Sequence, residues 1–160
     1  MFKIGDYIAH PMHGAGVIES IVTKKINGSQ RDYYVLKLPV GDMVVMVPVS
    51  GCENIGVRSI ISRSEAEKLF SAFSEIEISM TQNWNKRYRE NMDKIKSGNL
   101  LDVASVVKGL MCRDSERGLS TGERKMLHSA KQILISELVI ATNMDYDGVE
   151  KRLCAALEEM

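Results

Sequence analysis

The hydrophobic residues of this 160-residue chain change their spacing once, near residue 60. All three prolines, Pro11, Pro39 and Pro48, lie in the first part, together with most runs of β-branched residues. Short apolar runs separated by glycine-bearing turns are typical of antiparallel strands. From about residue 64 the apolar residues recur every three or four positions, as in amphipathic helices. The sequence therefore predicts an α+β fold, with a small antiparallel β barrel or strongly curved sheet before a bundle of helices.

Turn residues divide the first part into strands. Asn27-Gly28 is expected to turn the chain into a strand over 31–38, since this dipeptide favours tight hairpins. A second turn, at Val40-Gly41-Asp42, is expected to lead into the strand Met43–Val47. The boundary near 56–62 therefore divides the chain into two predicted domains. These are residues 1–62, formed by strands, and residues 63–160, formed by helices.

Side chains that can cap helix N-termini mark the predicted helices. The predicted starts are capping boxes at 64–67, 79–82 and 120–123, and an N-cap at Asn99. The helix that begins at 79–82 carries Trp84 and is expected to end near Gly98, and the third helix is expected to end near Gly118. A last helix is predicted over about 146–158, where acidic residues near its start favour the positive end of the helix dipole.

Composition favours a cytoplasmic globular protein. The chain has 21 Lys and Arg against 21 Asp and Glu, so its formal net charge is zero. It contains no apolar run of about 20 residues that could span a membrane, and its first residues lack the apolar stretch of a signal peptide. Three cysteines, Cys52, Cys112 and Cys154, form no C-x-x-C pair and are expected to be buried or half-buried thiols.

No motif in the chain predicts catalysis or a cofactor. The spacing of His10 and His13 would suit a metal, but Cys52 is the one obvious further ligand, and a turn at the end of a strand is favoured. The segment Asp145-Tyr146-Asp147-Gly148 lacks the spacing of a calcium loop. Phosphate-binding loops and nucleophile motifs are also missing from the sequence. We therefore expect no cofactor, no metal and no enzymatic activity.

Trp84 is the sole tryptophan, and it opens the run Trp84-Asn85-Lys86-Arg87-Tyr88-Arg89. A large aromatic beside three cations is typical of a nucleic-acid contact, because the ring can stack on or wedge bases while cations hold phosphates. However, Trp84, Tyr88, Met92 and Ile95 also have the spacing of a buried helical stripe, and spacing alone favours the core for Trp84. The cations could equally form a solvated face, for example with Arg87 paired to Glu90.

A second basic set lies on the predicted long helix. Arg124, His128 and Lys131 follow the i, i+4, i+7 spacing of one helical face. This set could extend a phosphate-binding surface or be solvated. Because the chain as a whole is neutral, we expect weak binding to DNA alone, so a role on DNA requires a second anchor.

Several segments resemble one bacterial family. The segments 2–6 and 11–14 are similar to the opening of the polymerase-interacting domain shared by CarD/CdnL-type transcription regulators and the transcription-repair coupling factor. The segments that resemble the helical domain of CarD/CdnL proteins alone are Asn83–Tyr88, Arg113–Ser120, Glu123–Leu127 and Ala130–Leu134. The resemblance covers about residues 2–142, in order and at matching spacing. At 160 residues the chain is expected to have no room for the helicase of the coupling factor.

The resemblance implies a Tudor-like β barrel that docks on the β subunit of RNA polymerase and a helical domain on promoter DNA. It places Trp84 in the minor groove as a wedge at the upstream edge of the transcription bubble, with Lys86, Arg87 and Arg89 near the DNA backbone. Residues at the positions of Arg124 and Lys131 are expected to extend that surface. The protein is then expected to stabilise the open complex, as a monomer associated with the nucleoid through polymerase.

The resemblance maps the polymerase-facing surface to Lys24 and the strand that contains Met43, Val45, Met46 and Val47. Family members can carry an arginine at the position of Met46, where it helps to grip polymerase. Methionine carries no charge, so the resemblance implies weaker or more apolar docking here. Two alternatives stay open: a free-standing architectural DNA-binding protein, and a polymerase adaptor in which Trp84 is buried.

Overall fold

The computed structural model describes residues 2–39, 43–78 and 81–158. A five-stranded antiparallel sheet is followed by five α-helices, which confirms the predicted α+β order. The strands are β1 (Tyr7–His10), β2 (Gly14–Ile26), β3 (Ser29–Lys37), β4 (Val44–Pro48) and β5 (Arg58–Ser59). The helices are α1 (Arg63–Phe73), α2 (Trp84–Lys96), α3 (Leu100–Arg117), α4 (Thr121–Thr142) and α5 (Tyr146–Glu158).

The sheet has the strand order β4-β3-β2-β1-β5, so β4 and β5 form its two edges. In the part of the chain that the structure describes no ladder joins these edges, and the domain is a curved open sheet rather than a closed barrel. A register shift between Ile18 and Ser20 interrupts the pairing of β2 with β3, and such a bulge bends and twists a strand. The predicted turn at Asn27-Gly28 is confirmed, with φ of 51° and 81°. The predicted turn at 40–42 lies outside the described residues.

One face of the sheet holds a small apolar core. Ile8, Ile18, Tyr34 and Leu36 are at most 1% exposed and pack together there. The Tyr34 hydroxyl donates to the Phe2 carbonyl and accepts from the Phe2 amide, each at 3.1 Å, so the start of the chain is held against this core. Alternate residues of the same strands therefore point to the opposite, outer face.

Two of the predicted helix starts are wrong by a few residues. Helix α1 is capped by Ser62, which forms a full capping box with Glu65, and not by the box predicted at 64–67. Helix α2 begins at Trp84 and its N-cap is Asn83, the residue directly after the box predicted at 79–82. Residues 79–80 of that box lie outside the described residues. Both Ser62 and Asn83 have extended backbone angles, which is the geometry of a cap.

The other helix limits agree with the sequence. Asn99 caps α3, Gly118 ends it, and Ser120 caps α4 by accepting from the Glu123 amide. Helix α5 covers the predicted 146–158, and the Asp145 carboxylate accepts from the Gly148 amide at its start. The helical core is formed by residues of all five helices, among them Phe73, Ile95, Val107, Leu134 and Leu153.

Helix α4 packs directly on the sheet and joins the two parts of the molecule. The Ala15 amide donates to Ser136 Oγ at 2.9 Å, and a Cβ at Gly14 would lie 2.5 Å from the same oxygen. Gly14 also has a φ of 98°, which side chains rarely adopt. The Arg58 guanidinium forms a bidentate pair with Glu137, whose side chain is 2% exposed.

The H-x-x-H segment is the turn between β1 and β2, as favoured from the sequence. His10 ends β1, and its Nδ1 accepts from the Met12 amide at 3.1 Å. The two imidazole rings lie 4.5 Å apart, and burial together with the charge of His13 lowers the pKa of His10. Cys52 is buried, and Cys112 and Cys154 are half-buried free thiols, as expected. Among the described residues no helix is both long and apolar enough to span a membrane.

Candidate nucleic-acid interface

Trp84 lies outside the helical core. It is the first residue of α2, and its side chain leaves the helix at the end farthest from Ile95. Ile95 is 2% exposed and Tyr88 and Met92 pack partly on the core, whereas Trp84 is 43% exposed. The interpretation from spacing, which favoured a buried Trp84, is therefore wrong for this residue, although it holds for the rest of the stripe. The ring is available to a partner.

The indole of Trp84 is held in place despite its exposure. Its ring stacks on Tyr88, with centroids 5.2 Å apart and planes at 21°. Its Nε1 donates to Ser120 Oγ at 3.2 Å. Gly122 lies beneath the ring, and a Cβ there would be 3.4 Å from the indole. The Trp84 side chain therefore packs against one turn of α2 and against the first turn of α4.

The three cations that follow Trp84 divide between two faces of α2. Lys86 and Arg89 are exposed, as a phosphate contact requires. Arg87, by contrast, is 2% exposed, and its guanidinium pairs with Glu123 at 2.9 Å. The prediction that Arg87 contacts the DNA backbone is therefore wrong, because the side chain is buried. The alternative prediction, that Arg87 pairs with Glu90, is also wrong. Glu90 accepts from the Thr81 hydroxyl instead.

The second basic set is also divided. Arg124 and His128 are exposed on α4. The Nζ of Lys131, however, lies 2.7 Å from Glu150 of α5, and its side chain is 22% exposed. The charge of Lys131 is therefore neutralised within the protein, which corrects its assignment to the phosphate-binding set. Arg124 stays in that set, since it follows two residues after Gly122, at the helix start beneath Trp84.

The alternation of β4 corrects the predicted polymerase-facing residues. Val47 is 1% exposed and Val45 packs partly against the sheet core, so both point away from a partner. Met43, Val44 and Met46 are 42%, 56% and 37% exposed. Lys24, at the far end of β2, is exposed as predicted. The predicted strand Met43–Val47 corresponds closely to β4, but the prediction did not separate the two faces of that strand.

Cross-strand pairing shows what surrounds Met46 on the outer face. Residues directly opposite each other in antiparallel strands point to the same face. Met46 is opposite Val35, which is opposite Ser20, and Val44 is opposite Lys37. The outer face therefore combines apolar side chains with cations at both ends. Its members are Ser20, Val22, Lys24, Arg31, Tyr33, Val35, Lys37, Val44 and Met46. We call these residues the outer sheet surface.

Sequence reasoning did not find most of the outer sheet surface, because its members are distant along the chain and meet only through the register. The neighbours that support Trp84, Ser120 and Gly122, were missed for the same reason. No group of three or more histidine, cysteine, aspartate or glutamate side chains in the described ranges could hold a metal ion.

Comparisons with known proteins show similarity over both parts of the chain. Residues 2–61 match the family model described as the CarD-like/TRCF RID domain, and residues 68–154 match that of the CarD C-terminal domain. A Bacillus subtilis (strain 168) protein named "Putative transcription factor YdeB" is 38% identical over 140 residues. That alignment covers 88% of this chain and 92% of the relative.

Proposed function

The chain belongs to the CarD family of transcription factors, and from this premise we propose that it regulates transcription initiation by binding RNA polymerase and promoter DNA together. Residues 1–62 dock on the polymerase β subunit, and residues 63–160 contact the minor groove at the upstream edge of the bubble. The change from strands to helices between Ser59 and Arg63 supports this division. The protein acts by binding and makes or breaks no bond.

The exposed ring of Trp84 is the observation that carries the proposal. A side chain that enters a base step must be accessible in the free protein and rigid enough to keep its direction. Trp84 is 43% exposed, yet its ring stacks on Tyr88 and its Nε1 donates a hydrogen bond to Ser120. This combination disfavours an adaptor with a buried tryptophan. The flanking cations Lys86, Arg89 and Arg124 are exposed and lie at the same end of the two helices.

Docking on polymerase supplies the second anchor that a neutral chain requires. A tethered helical domain meets the promoter at a high effective concentration, so a weak DNA contact is sufficient. A ring that fits the distorted fork binds open promoter better than closed promoter. By linkage, the open state is stabilised by that difference in affinity, which is a few kcal/mol at most for one base-step contact.

The outer sheet surface is the proposed polymerase contact. Antiparallel sheets that face water usually carry polar residues on that face, but Val35, Val44 and Met46 are apolar. Strand β4 is also an edge strand, so its free backbone groups can pair with a strand of a partner. Lys24 and Arg31, opposite each other, favour acidic groups beside that strand.

We expect Met46→Glu to weaken binding to the isolated polymerase β subunit about tenfold, because a charge replaces an apolar contact on the edge strand of the outer sheet surface. Met46→Arg should preserve or tighten the complex. The Kd of the full-length variants for the β subunit measures both effects. Ile55→Glu is the matched control, since Ile55 is 52% exposed on the same domain but lies outside that surface. Equal Kd values for all four proteins would remove the surface from the interface.

Lys86→Ala and Arg89→Ala are each expected to reduce the salt dependence of DNA binding by about one unit of slope, because each releases one phosphate contact. The measurement is the affinity of the free protein for a forked duplex across a salt series. Lys131→Ala is the control, because Lys131 is already paired with Glu150, and its slope should stay within error of the parent. A slope that falls for Lys131 but not for Lys86 would reverse the assignment.

The lifetime of open complexes formed by purified bacterial polymerase, with and without this protein, tests the proposal as a whole. A longer lifetime is expected when the protein is present. The rival class, a free-standing architectural DNA-binding protein, predicts binding to forked DNA with no affinity for the β subunit. Binding of the full chain to the isolated β subunit therefore separates the two.

A further inference from the structure

The buried ion pair of Arg87 and Glu123 has no part in the function proposed above. The two side chains are 3% exposed each and make a bidentate contact, at 2.9 Å from Nε and 3.3 Å from Nη2. They lie 36 residues apart in sequence and join the first turn of α2 to the first turn of α4. The Trp84 ring packs against the same two turns.

The third nitrogen of the Arg87 guanidinium contacts the segment that leads into α2. Its Nη1 donates to the carbonyl oxygens of Thr81 and Gln82, both at 3.0 Å. One buried guanidinium therefore ties together the residues before Trp84, the helix that carries Trp84 and the start of α4. An arginine suits this position because its planar fork can satisfy several fixed acceptors at once.

Hydrogen bonds continue from Glu123 to the indole itself. The Glu123 amide donates to Ser120 Oγ at 3.2 Å, and the same oxygen accepts from Trp84 Nε1. The Ser120 hydroxyl lies 3.5 Å from Glu123 Oε1, which orients its proton towards the carboxylate and its lone pairs towards the indole. The direction of the indole N–H is thus coupled to the position of the carboxylate that Arg87 holds.

We propose that Arg87 and Glu123 are positioning residues that fix the direction of the Trp84 ring. This inference rests on the proposed function in one respect, because the fixed direction matters for transcription only if Trp84 contacts the promoter fork. The pair itself touches no DNA. It holds α2 and α4 at the separation at which the indole lies between Tyr88 and Gly122.

A positioning role can be separated from a stabilising one at this site. Replacing both members of a buried ion pair by apolar residues of similar volume is often neutral for stability, because the desolvation of the two charges is removed together with their attraction. Arg113 Nε also lies 3.8 Å from Glu123 Oε1, but the Arg113 side chain is 27% exposed and keeps access to water. The variant Arg87→Met/Glu123→Leu is therefore expected to stay folded. It loses the fork contacts to 81–82 and the fixed carboxylate near Ser120, so the indole should lose its defined direction.

Trp84 reports on this directly, because it is the sole tryptophan of the chain. In the free full-length protein we expect the double variant to show a higher acrylamide quenching constant and lower fluorescence anisotropy, with an unchanged circular dichroism spectrum. With polymerase, its open-complex lifetime should fall about as far as that of Trp84→Ala, of the order of tenfold for a lost contact. The matched control is Arg152→Met/Glu67→Leu, a bidentate pair between α5 and α1 away from Trp84, which should change neither readout.

Unchanged quenching, anisotropy and lifetime in the double variant would overturn the positioning role. If that variant fails to fold, Glu123→Gln replaces it, since it keeps the side-chain shape and one acceptor and should raise the quenching constant to a smaller extent. A failure of the proposed function gives a different experimental result, in which Trp84→Ala leaves the open-complex lifetime unchanged. The quenching of the double variant in the free protein then still tests the positioning role.

Discussion

Trp84→Ala is expected to shorten the lifetime of open promoter complexes about tenfold, which corresponds to ~1.4 kcal/mol of stabilisation lost from the open state. In the proposed function the ring supplies the base-step contact, so alanine would leave only the exposed cations to contact the DNA. The free energy of unfolding should fall by only about 1–2 kcal/mol, because the ring is already 43% exposed and loses mainly its stacking on Tyr88. Filter-binding decay with purified polymerase measures the lifetime, and circular dichroism in denaturant measures stability.

Two variants control for this result. Phe73→Ala removes an aromatic ring that is 0% exposed, and it should cost about 3–5 kcal/mol of stability, as is usual for a core aromatic. Trp84→Phe keeps a ring on Tyr88 but loses the hydrogen bond to Ser120, so its open-complex lifetime should lie between those of the parent and Trp84→Ala. A stability loss for Trp84→Ala as large as that for Phe73→Ala would return the residue to the core. An unchanged lifetime would remove it from the DNA contact.

The contrast between Trp84 and Arg87 shows where prediction from the sequence stops. Helical spacing correctly predicts that Ile95 is buried, because period alone decides which face of a helix meets its neighbours. Spacing cannot show that the buried stripe of α2 ends at Tyr88, one turn after Trp84 in the sequence, because that limit depends on where α4 begins in space. Nor can it tell that Arg87 points inwards, because its partner Glu123 is 36 residues away. A charged residue is rarely buried unless groups distant in the sequence, such as the Glu123 carboxylate, compensate its charge.

The same limit applies to the sheet. The turn at Asn27-Gly28 follows from local residue preferences and was predicted correctly. The outer sheet surface was not, because it depends on a register that includes the bulge between Ile18 and Ser20. The cap of α1 shows a milder form of the problem. Two serines, Ser62 and Ser64, each precede a glutamate by three residues, and only the backbone conformation selects Ser62.

The junction between the sheet and the helices depends on a second long-range pair. Arg58 of β5 contacts Glu137 of α4 at 2.7 and 2.9 Å, and the same carboxylate accepts from the Ile61 amide at 2.8 Å. Arg58 Nε also donates to the Gly98 carbonyl at 3.3 Å. The Arg58–Glu137 pair therefore joins the last strand, the segment before α1 and the segment between α2 and α3 to α4. This arrangement fixes the sheet relative to the helix pair α2 and α4, on which Trp84 lies.

We expect Arg58→Ala to lower the free energy of unfolding by about 3 kcal/mol, the lower end of the range for breaking a buried pair. The lower end applies because Arg58 is 34% exposed and partly screened by water, while Glu137 is 2% exposed and would be left as an uncompensated buried charge. Equilibrium denaturation measures the loss. Affinity for the isolated β subunit should be unchanged in conditions where the variant is folded, and the open-complex lifetime should fall because the helical domain is no longer held in one orientation.

Arg152→Ala is the matched comparison for Arg58→Ala, because Arg152 also makes a bidentate pair, with Glu67 at 2.9 and 3.1 Å, but both side chains are at least 40% exposed. An exposed pair of this kind stabilises by about 1 kcal/mol or less. The double variant Arg58→Met/Glu137→Leu should recover much of the stability lost in Arg58→Ala, since it removes the stranded carboxylate as well. It should not recover the open-complex lifetime, because apolar side chains do not restore the fixed contacts to Ile61 and Gly98. Equal losses for Arg58→Ala and Arg152→Ala would mean that the packing of α4 on β2 holds the junction without the ion pair.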